Sequence, residues 1–464
     1  GNTAYTIDDP SNFYNNESFV NGRQVLRDSN GDLFVVLIDG PNNYLEIWKS
    51  TDDGQNWVQQ DSGTLISTAG GNYMAAAIDS TDKIHIAFYS SIGSTSVSYT
   101  YFSGGSFASS SEIVMAPMNN DNDYQYTLDI SVDSNDKPHI VANVGGDSVN
   151  FPTNDYEWGV YYSNKISGSW SSAVTISYDN FYTANIYRDC RITIDNNDLP
   201  QIVYGYDVGS FTLYARRGNQ NNATSFTSKS VSSGYENGPI SIDSSNNTWI
   251  VYTDSNNKIA LANHTSGSWA DNWSTITSKS DIGYAPTIAV DVNNIFVFYE
   301  DDNDNIVYDV YNGSSWQGET TLHSGSYQDV SARWAYVVNN DSTGTNQAPD
   351  SGVEIDYIYS DGTDIYYSSL TTRQVIINAI SGTHSGFENA DSSPDTDPFN
   401  SGDIMNYTVQ SGSALSVGNT YYWKVRGLDP IGSGSYGDWS STWSFTITSG
   451  TSPGSNAIFD LGGL

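Results

Sequence analysis

The 464-residue sequence predicts an all-β chain: a seven-bladed β-propeller over residues 1–370, with six or eight blades also fitting the pattern, a small β-sandwich over 371–449, and a linker with a short apolar tail over 450–464. Three observations predict it. A unit of about 50 residues recurs along most of the chain. Each unit alternates short apolar runs with turns rich in Asp, Asn, Ser and Gly. Aromatic residues reach 13%, with 34 Tyr and 12 Trp, although only 37% of residues are hydrophobic. Tyr and Trp bury large areas and suit pleated strands, so this polar chain reads as globular and β-rich rather than disordered.

Six units open alike, with an apolar strand, an Asp, a polar turn and a second apolar strand. Ile130-Ser131-Val132-Asp133 with Pro138-His139-Ile140-Val141, and Ile192-Thr193-Ile194-Asp195 with Pro200-Gln201-Ile202-Val203, are typical. The aspartates are Asp28, Asp79, Asp133, Asp195, Asp243 and Asp291. Each sits where a carboxylate accepts backbone N–H bonds across the turn, which is a structural role. A second hairpin follows in every unit, its turn ending on one aromatic: Trp57, Phe107, Trp170, Phe226, Trp269 or Trp316. Four strands per unit make a propeller blade. One blade cannot bury both its faces alone, and stacking around an axis does so. A seventh, less regular unit fits residues 331–370, with strands at Trp334 to Val338, Val353 to Tyr359 and Ile365 to Leu370.

The stretch Ser50-Thr51-Asp52-Asp53-Gly54-Gln55-Asn56-Trp57 resembles the Asp-box, S-x-D-x-G-x-x-W, of sialidase-like (BNR-repeat) propellers. The resemblance implies a structural hairpin on the outer strands of a blade. Its Asp would bond the turn backbone and its Trp would pack between blades. The other aromatic turns, such as Gly313-Ser314-Ser315-Trp316, look like degenerate copies. A sialidase of this family uses an arginine triad, a Tyr–Glu nucleophile pair and an Asp acid/base. Arg23, Arg191 and Arg333 lie near the starts of first strands and so are placed to converge on the axis, but Arg191-Ile192-Thr193 is only the nearest approach to the Arg-Ile-Pro motif. The sequence reveals no Tyr–Glu pair.

In the second domain, Leu415 and then Tyr421, Trp423 and Val425 alternate in a strand, and Trp443-Ser444-Phe445-Thr446-Ile447 ends the module. This step resembles fibronectin type III, in which Tyr421 would form the tyrosine corner. The tail carries Ile458, Phe459 and Leu461, expected either to dock on a neighbouring subunit by strand addition or to fold back on their own chain.

Charge narrows the function. The chain has 17 Lys+Arg against 53 Asp+Glu, a net charge of −36. Such a surface repels phosphate backbones and excludes nucleic acid as a partner. No apolar run reaches the length of a membrane span. One cysteine, Cys190, rules out an intrachain disulfide. No cofactor is required by any motif. Ca²⁺ binding could use the loops Asn119-Asn120-Asp121-Asn122-Asp123 and Glu300-Asp301-Asp302-Asn303-Asp304, although neither has EF-hand spacing. His85 and His139 hold the same position in successive units, which reads as repeat packing rather than metal ligation. N-x-S/T sequons occur at Asn16, Asn222, Asn246, Asn263, Asn272, Asn312, Asn340 and Asn406 and permit glycosylation of a secreted protein. Aromatic and polar residues gather before the inner strands of the middle units: Tyr156, Trp158, Tyr178, Phe181, Tyr182 and Tyr187, with Arg191. These form a candidate glycan-binding set. With no catalytic residues identified, the expectation is an extracellular, non-catalytic surface protein for adhesion, whose partners are glycans or other surface proteins. Two alternatives stand beside it: a filament or sheath subunit polymerised through its termini, and a sialidase-type glycoside hydrolase.

Overall fold

Each of the first six repeats folds into one antiparallel sheet of four strands in chain order, blade 2 adding the two-residue strand Ser106–Phe107, because a short turn can only return the chain alongside itself. The computed structural model describes residues 4–7, 25–39, 44–52, 54–60, 74–90, 95–118, 127–145, 158–179, 187–207, 211–233, 236–243, 245–265, 267–276, 278–279, 281–291, 294–325, 354–360, 365–371, 387–389, 405–407, 420–423 and 443–446. No helix occurs among them. Blade 1 is Val25–Arg27, Leu33–Asp39, Tyr44–Ser50 and Val58–Gln59. Blades 2 to 6 begin at Met74–Ile78, Leu128–Val132, Tyr187–Ile194, Glu236–Ile242 and Gly283–Asp291, and these first strands lie against one another around the axis. The seventh sheet contains Glu354–Ser360, Ile365–Thr371 and, as its outer strand, Tyr5–Thr6 from the start of the chain. The result is a seven-bladed propeller closed by its own N-terminal strand.

Burial follows position within the blade. A central strand such as Ile84–Ser90 is buried along its whole length, because both sheet faces meet a neighbouring blade. The outer strand Phe226–Ser233 alternates half-buried and exposed residues. The aromatics that end the second hairpins of blades 1, 3, 4 and 5 reach the preceding blade. Trp170 meets Tyr99 edge-on at 5.1 Å, and Phe226 meets Tyr162 at 5.3 Å. Trp269 donates Nε1–H to the carbonyl of Ala215.

The turn aspartates are caps. Asp79 Oδ1 accepts the N–H groups of Thr81 and Lys83, each at 2.9 Å. The same two bonds recur at Asp28, Asp133, Asp195 and Asp243, and again in the turns Asp254-Ser255-Asn256-Asn257-Lys258 and Asp301-Asp302-Asn303-Asp304-Asn305. The fourth turn residue takes positive φ (Asp82 62°, Asp136 61°, Asp198 59°), which Asp and Asn tolerate. That residue also reaches across to the previous blade. Asp82 accepts from Ser29 N–H and Oγ–H, Asp136 from Ser80, and Asp198 from Ser134, while Asn246 accepts from Asn196 N–H. A ladder of turn-to-turn bonds thus laces blades 1 to 5 at one end.

Ring closure joins blades 1 and 7 without a covalent link. Arg27 forms a two-pronged ion pair with Asp356, through Nε at 3.0 Å and Nη2 at 2.8 Å, and Tyr367 O–H donates to the same carboxylate at 2.6 Å. Above it sits the Asp-box hairpin of blade 1. Asp52 accepts Ser50 Oγ–H and Asn56 N–H, and Trp57 Nε1–H donates to the carbonyl of Gly54. Trp57 meets Tyr367 edge-on at 5.4 Å. A Cβ on Gly54 would stand 2.0 Å from the Tyr367 ring, and its φ of +82° already disfavours any other residue.

The chain divides into two units, Gly1–Pro349 with Glu354–Leu370, and Asp350–Val353 with Thr371–Leu464. In the second, Phe387–Asn389 pairs with Met405–Tyr407, and Thr420–Trp423 pairs with Trp443–Thr446, placing Tyr421 opposite Phe445. Trp334 to Val338 and the tail residues Ile458, Phe459 and Leu461 lie outside the described residues.

The closure geometry predicts that Arg27→Met, which strands the Asp356 carboxylate at 1% exposure, lowers unfolding stability by about 3 kcal/mol in urea titration. Lys49→Met removes a partly exposed pair with Asp32 and a cation–π contact with Phe34, and should cost less than about 1 kcal/mol. Equal losses would contradict a special role for the closure pair.

Candidate functional site

The two ends of the propeller differ in what they leave free. At the turn end the carboxylate oxygens are committed. Asp79 Oδ2 bonds His85 Nε2 at 3.0 Å, Asp195 Oδ2 takes Gln201 Nε2 and Arg217, and Asp243 Oδ2 takes Trp249 Nε1 and Asn247 Nδ2. At the opposite end first strands begin, second strands finish and third strands begin. There the inner strands of three consecutive blades each carry one extra residue against their partner strand. The bulges fall between Arg188 and Arg191 in blade 4, Asn237 and Ile240 in blade 5, and Tyr284 and Thr287 in blade 6. Blade 3 pairs without interruption from Leu128 to Val132. Bulges re-aim side chains and concentrate beside functional sites.

Counting seven residues back from Asp195, Asp243 and Asp291 gives Arg188, Glu236 and Tyr284. A cation, a carboxylate and an aromatic therefore hold one repeat position on three adjacent inner strands at the axial mouth. Tyr284 is 37% exposed, while the neighbouring inner strands are buried along most of their length. Directly across the sheet from it stands Glu300. Ala285, inside the bulge, has φ +44°. Among the described residues the other non-glycine positions with positive φ are Asp or Asn, so Ala285 takes this conformation without the side-chain compensation they have. Counting back from the repeat aspartates finds this set; motif searching does not, because the residues stand about 50 positions apart.

Of the sequence-derived binding set, the backbone places Trp158 at the start of the third strand of blade 3, Tyr178 near the end of its fourth, opposite Gly159, and Tyr187 at the head of the inner strand of blade 4, opposite Tyr206. All three reach the mouth end. Tyr156, Phe181 and Tyr182 lie outside the described residues, as do Arg23, Arg333 and the loop Asn119 to Asp123. Arg191 is fully buried, its Nη1 donating to the carbonyl of Cys190 at 2.7 Å. One residue missed from sequence is Asp129, the counterpart of Arg191 in blade 3. Its Oδ2 accepts Ile192 N–H at 2.9 Å and pins the free edge of the bulged strand.

A further polar cluster lies beside Tyr299 of blade 6. Tyr299 O–H donates to Glu319 at 2.6 Å, beside Lys279, which also pairs with Asp309 at 2.9 Å. A Tyr–Glu pair that the sequence does not reveal therefore forms between Tyr299 and Glu319, and Tyr284 stands opposite Glu300 in the strand register. The residues of each pair are far apart or unmarked in sequence and meet only through strand pairing. Burial drives the Tyr299 phenol well above its ordinary range, and Glu319 adds to this, so Tyr299 stays protonated and buried. The loop at Glu300 to Asp304 is a capped turn, with Asp301 Oδ2 taking Asn305 Nδ2 at 3.0 Å. Among the described residues no group of three or more His, Cys, Asp or Glu is placed to hold a metal ion.

His85 is neutral. Burial lowers its pKa, Nε2–H donates to Asp79, and Nδ1 accepts Tyr99 O–H at 2.7 Å. Burial alone would raise Asp79, but bonds from His85, Thr81 and Lys83 outweigh it and hold the carboxyl at about 2. His323, between Tyr357 and Tyr359, is lowered by burial to about 4. For these depressed histidines the stabilisation is complete above the unfolded value near 6.5 and fades as pH falls through the folded value. For Asp79 it is complete above about 4 and fades towards pH 2. Stability should therefore fall between pH 6.5 and 4, by up to about 1.4 kcal/mol per pH unit for each proton taken up. His323→Gln should flatten that slope in urea titrations; an unchanged slope would remove His323 from the account.

No protein-family model matches the sequence, and no curated protein matches it. Solved structures match in fold. An ulvan lyase of a new family of polysaccharide lyase, bound to a GlcA(1-4)Rha3S unit, aligns over 81% of this chain and 98% of its own, with 12% identity and a TM-score of 0.50. A Penicillium chrysogenum α-L-arabinanase with arabinobiose aligns over 67% and 98%, with 15% identity and a TM-score of 0.46. A Hadza microbial sialidase aligns over 71% and 74%, with 10% identity and a TM-score of 0.42. These comparisons correct two expectations, that the chain is a non-catalytic adhesion protein and that it is not an enzyme. The solved propeller that aligns with a TM-score of 0.50 is a polysaccharide lyase. The physical reason for the error is that a propeller site draws a residue or two from each blade and leaves no contiguous motif.

Proposed function

We propose that the chain is an extracellular glycan-cleaving enzyme whose site is the axial mouth over blades 4 to 6. The observation that carries this reading is the row of three inner-strand bulges, with Arg188, Glu236 and Tyr284 at one repeat position beside them and Glu300 opposite Tyr284 in the register. The polysaccharide lyase that shares the fold supports the substrate class. Hydrolysis of a glycosidic bond needs an acid to protonate the leaving oxygen and a second carboxylate to activate water or attack the sugar. In this reading Glu300 is the acid and Glu236 the second carboxylate, while Tyr284 offers a ring face on which a sugar stacks. Water is split across the cleaved bond, its hydroxyl going to the anomeric carbon and a proton to the leaving oxygen. Trp158, Tyr178 and Tyr187 stand at the mouth ends of strands in blades 3 and 4 and, with Tyr156, Phe181 and Tyr182 of the sequence-derived set, are the further aromatic candidates for sugar stacking. The second unit fits a fibronectin type III-like spacer, as the step from Leu415 to Tyr421 implies.

The test is release of reducing ends from a panel of plant, algal and microbial polysaccharides. Wild-type protein should release them from at least one. Glu300→Gln should lower kcat/KM by at least about 100-fold with an unchanged melting temperature. Tyr284→Ala should act mainly on KM. No release from any polysaccharide, or full activity in Glu300→Gln, would overturn the assignment.

A further inference from the structure

The described residues contain five sequons whose side chains have different surroundings, and the geometry points to Asn312 as a site of N-glycosylation. Asn312-Gly313-Ser314 forms the turn after the third strand of blade 6, Ile306–Tyr311, and all three residues are exposed. Three donors converge on the amide oxygen of Asn312: Ser314 N–H at 3.1 Å, Ser315 N–H at 3.0 Å, and the Ser314 hydroxyl at 3.0 Å. The oxygen is thereby held inside the turn, and Nδ2, on the other arm of the planar amide, is left to the solvent. The Ser314 hydroxyl bond draws electron density towards Oδ1 and so eases loss of an Nδ2 proton as the new bond forms. Gly313 has φ +86°, and nothing lies within 4 Å of the position a Cβ would take there, so the approach to the turn is open.

Other sequons contrast with it. Asn263 lies on the third strand of blade 5 between Trp249 and Ser274, and is 8% exposed, so a glycan there would prevent the blade from closing. Asn246 uses its amide oxygen to hold Asn196 N–H of the neighbouring blade at 2.8 Å, in the turn ladder. Asn222 and Asn272 stand exposed in the corresponding turns of blades 4 and 5. The glycan would therefore stand at the turn end, away from the axial mouth, and this inference goes beyond the proposed enzymatic function without depending on it.

The transfer joins Nδ2 to C1 of a sugar. The C1–O bond of a polyprenyl-pyrophosphate-linked oligosaccharide breaks, the polyprenyl pyrophosphate leaves with the bonding electrons, and the Nδ2 proton passes to a base of the transferase. Nothing is oxidised or reduced.

The test is glycopeptide mass spectrometry of the full chain secreted from a eukaryotic cell line. The peptide holding Asn312 should carry glycan, while those holding Asn246 and Asn263 should not. Asn312→Gln and Ser314→Ala should each lose that glycan, Ser314→Thr should retain it, and all three should keep the wild-type melting temperature. An unmodified Asn312 in the secreted protein, or glycan on Asn263 in folded protein, overturns the inference.

Discussion

In blades 1 to 5 a single carboxylate per blade holds the turn end of this propeller together. The turn aspartates are buried, and removing such a charge from water costs several kcal/mol unless it is bonded. Each is bonded many times over: two backbone N–H groups on Oδ1, and a side chain from the following strand on Oδ2 in blades 2 to 5. These bonds set the turn and, through it, the register of the hairpin. The turn residue with positive φ then reaches the previous blade, so one local geometry propagates around the ring. The side chain that meets Oδ2 is His, His, Gln and Trp in successive blades, all placed to give an N–H. The hydrogen bond is retained while the residue changes, which is how a repeat drifts in sequence without losing its fold.

Much of this is legible in the sequence because it is local. Asp, turn and strand are adjacent, and the Asp-box of blade 1 is a contiguous stretch whose bonds form as the resemblance implies. The N-terminal closure is not legible. Tyr5–Thr6 is a two-residue strand, too short to show alternation, and its partner stands at the other end of the propeller sequence. Arg27 is visible only as the last residue of an apolar run, while the Asp356 it pairs with lies in the least regular unit.

The mouth escapes sequence reading for a different reason. Aromatic clustering points towards Tyr156 to Tyr187 and groups Arg191 with them, although Arg191 is buried. The residues that the bulges set apart, Arg188, Glu236 and Tyr284, share a repeat position but no neighbours in sequence. An extra residue in a strand leaves the apolar pattern nearly intact, so periodicity does not reveal it. Strained and exposed residues such as Ala285 and Tyr284 stand at the mouth, while the turn aspartates of blades 1 to 5 cap the opposite end.

The most direct measurement is a crystal structure of the Glu300→Gln protein soaked with an oligosaccharide that the wild type degrades. The account predicts sugar in the axial mouth, stacked on Tyr284 with a glycosidic oxygen beside residue 300. Sugar bound only at the turn end or on the outer strands, with the mouth filled by solvent, would contradict it.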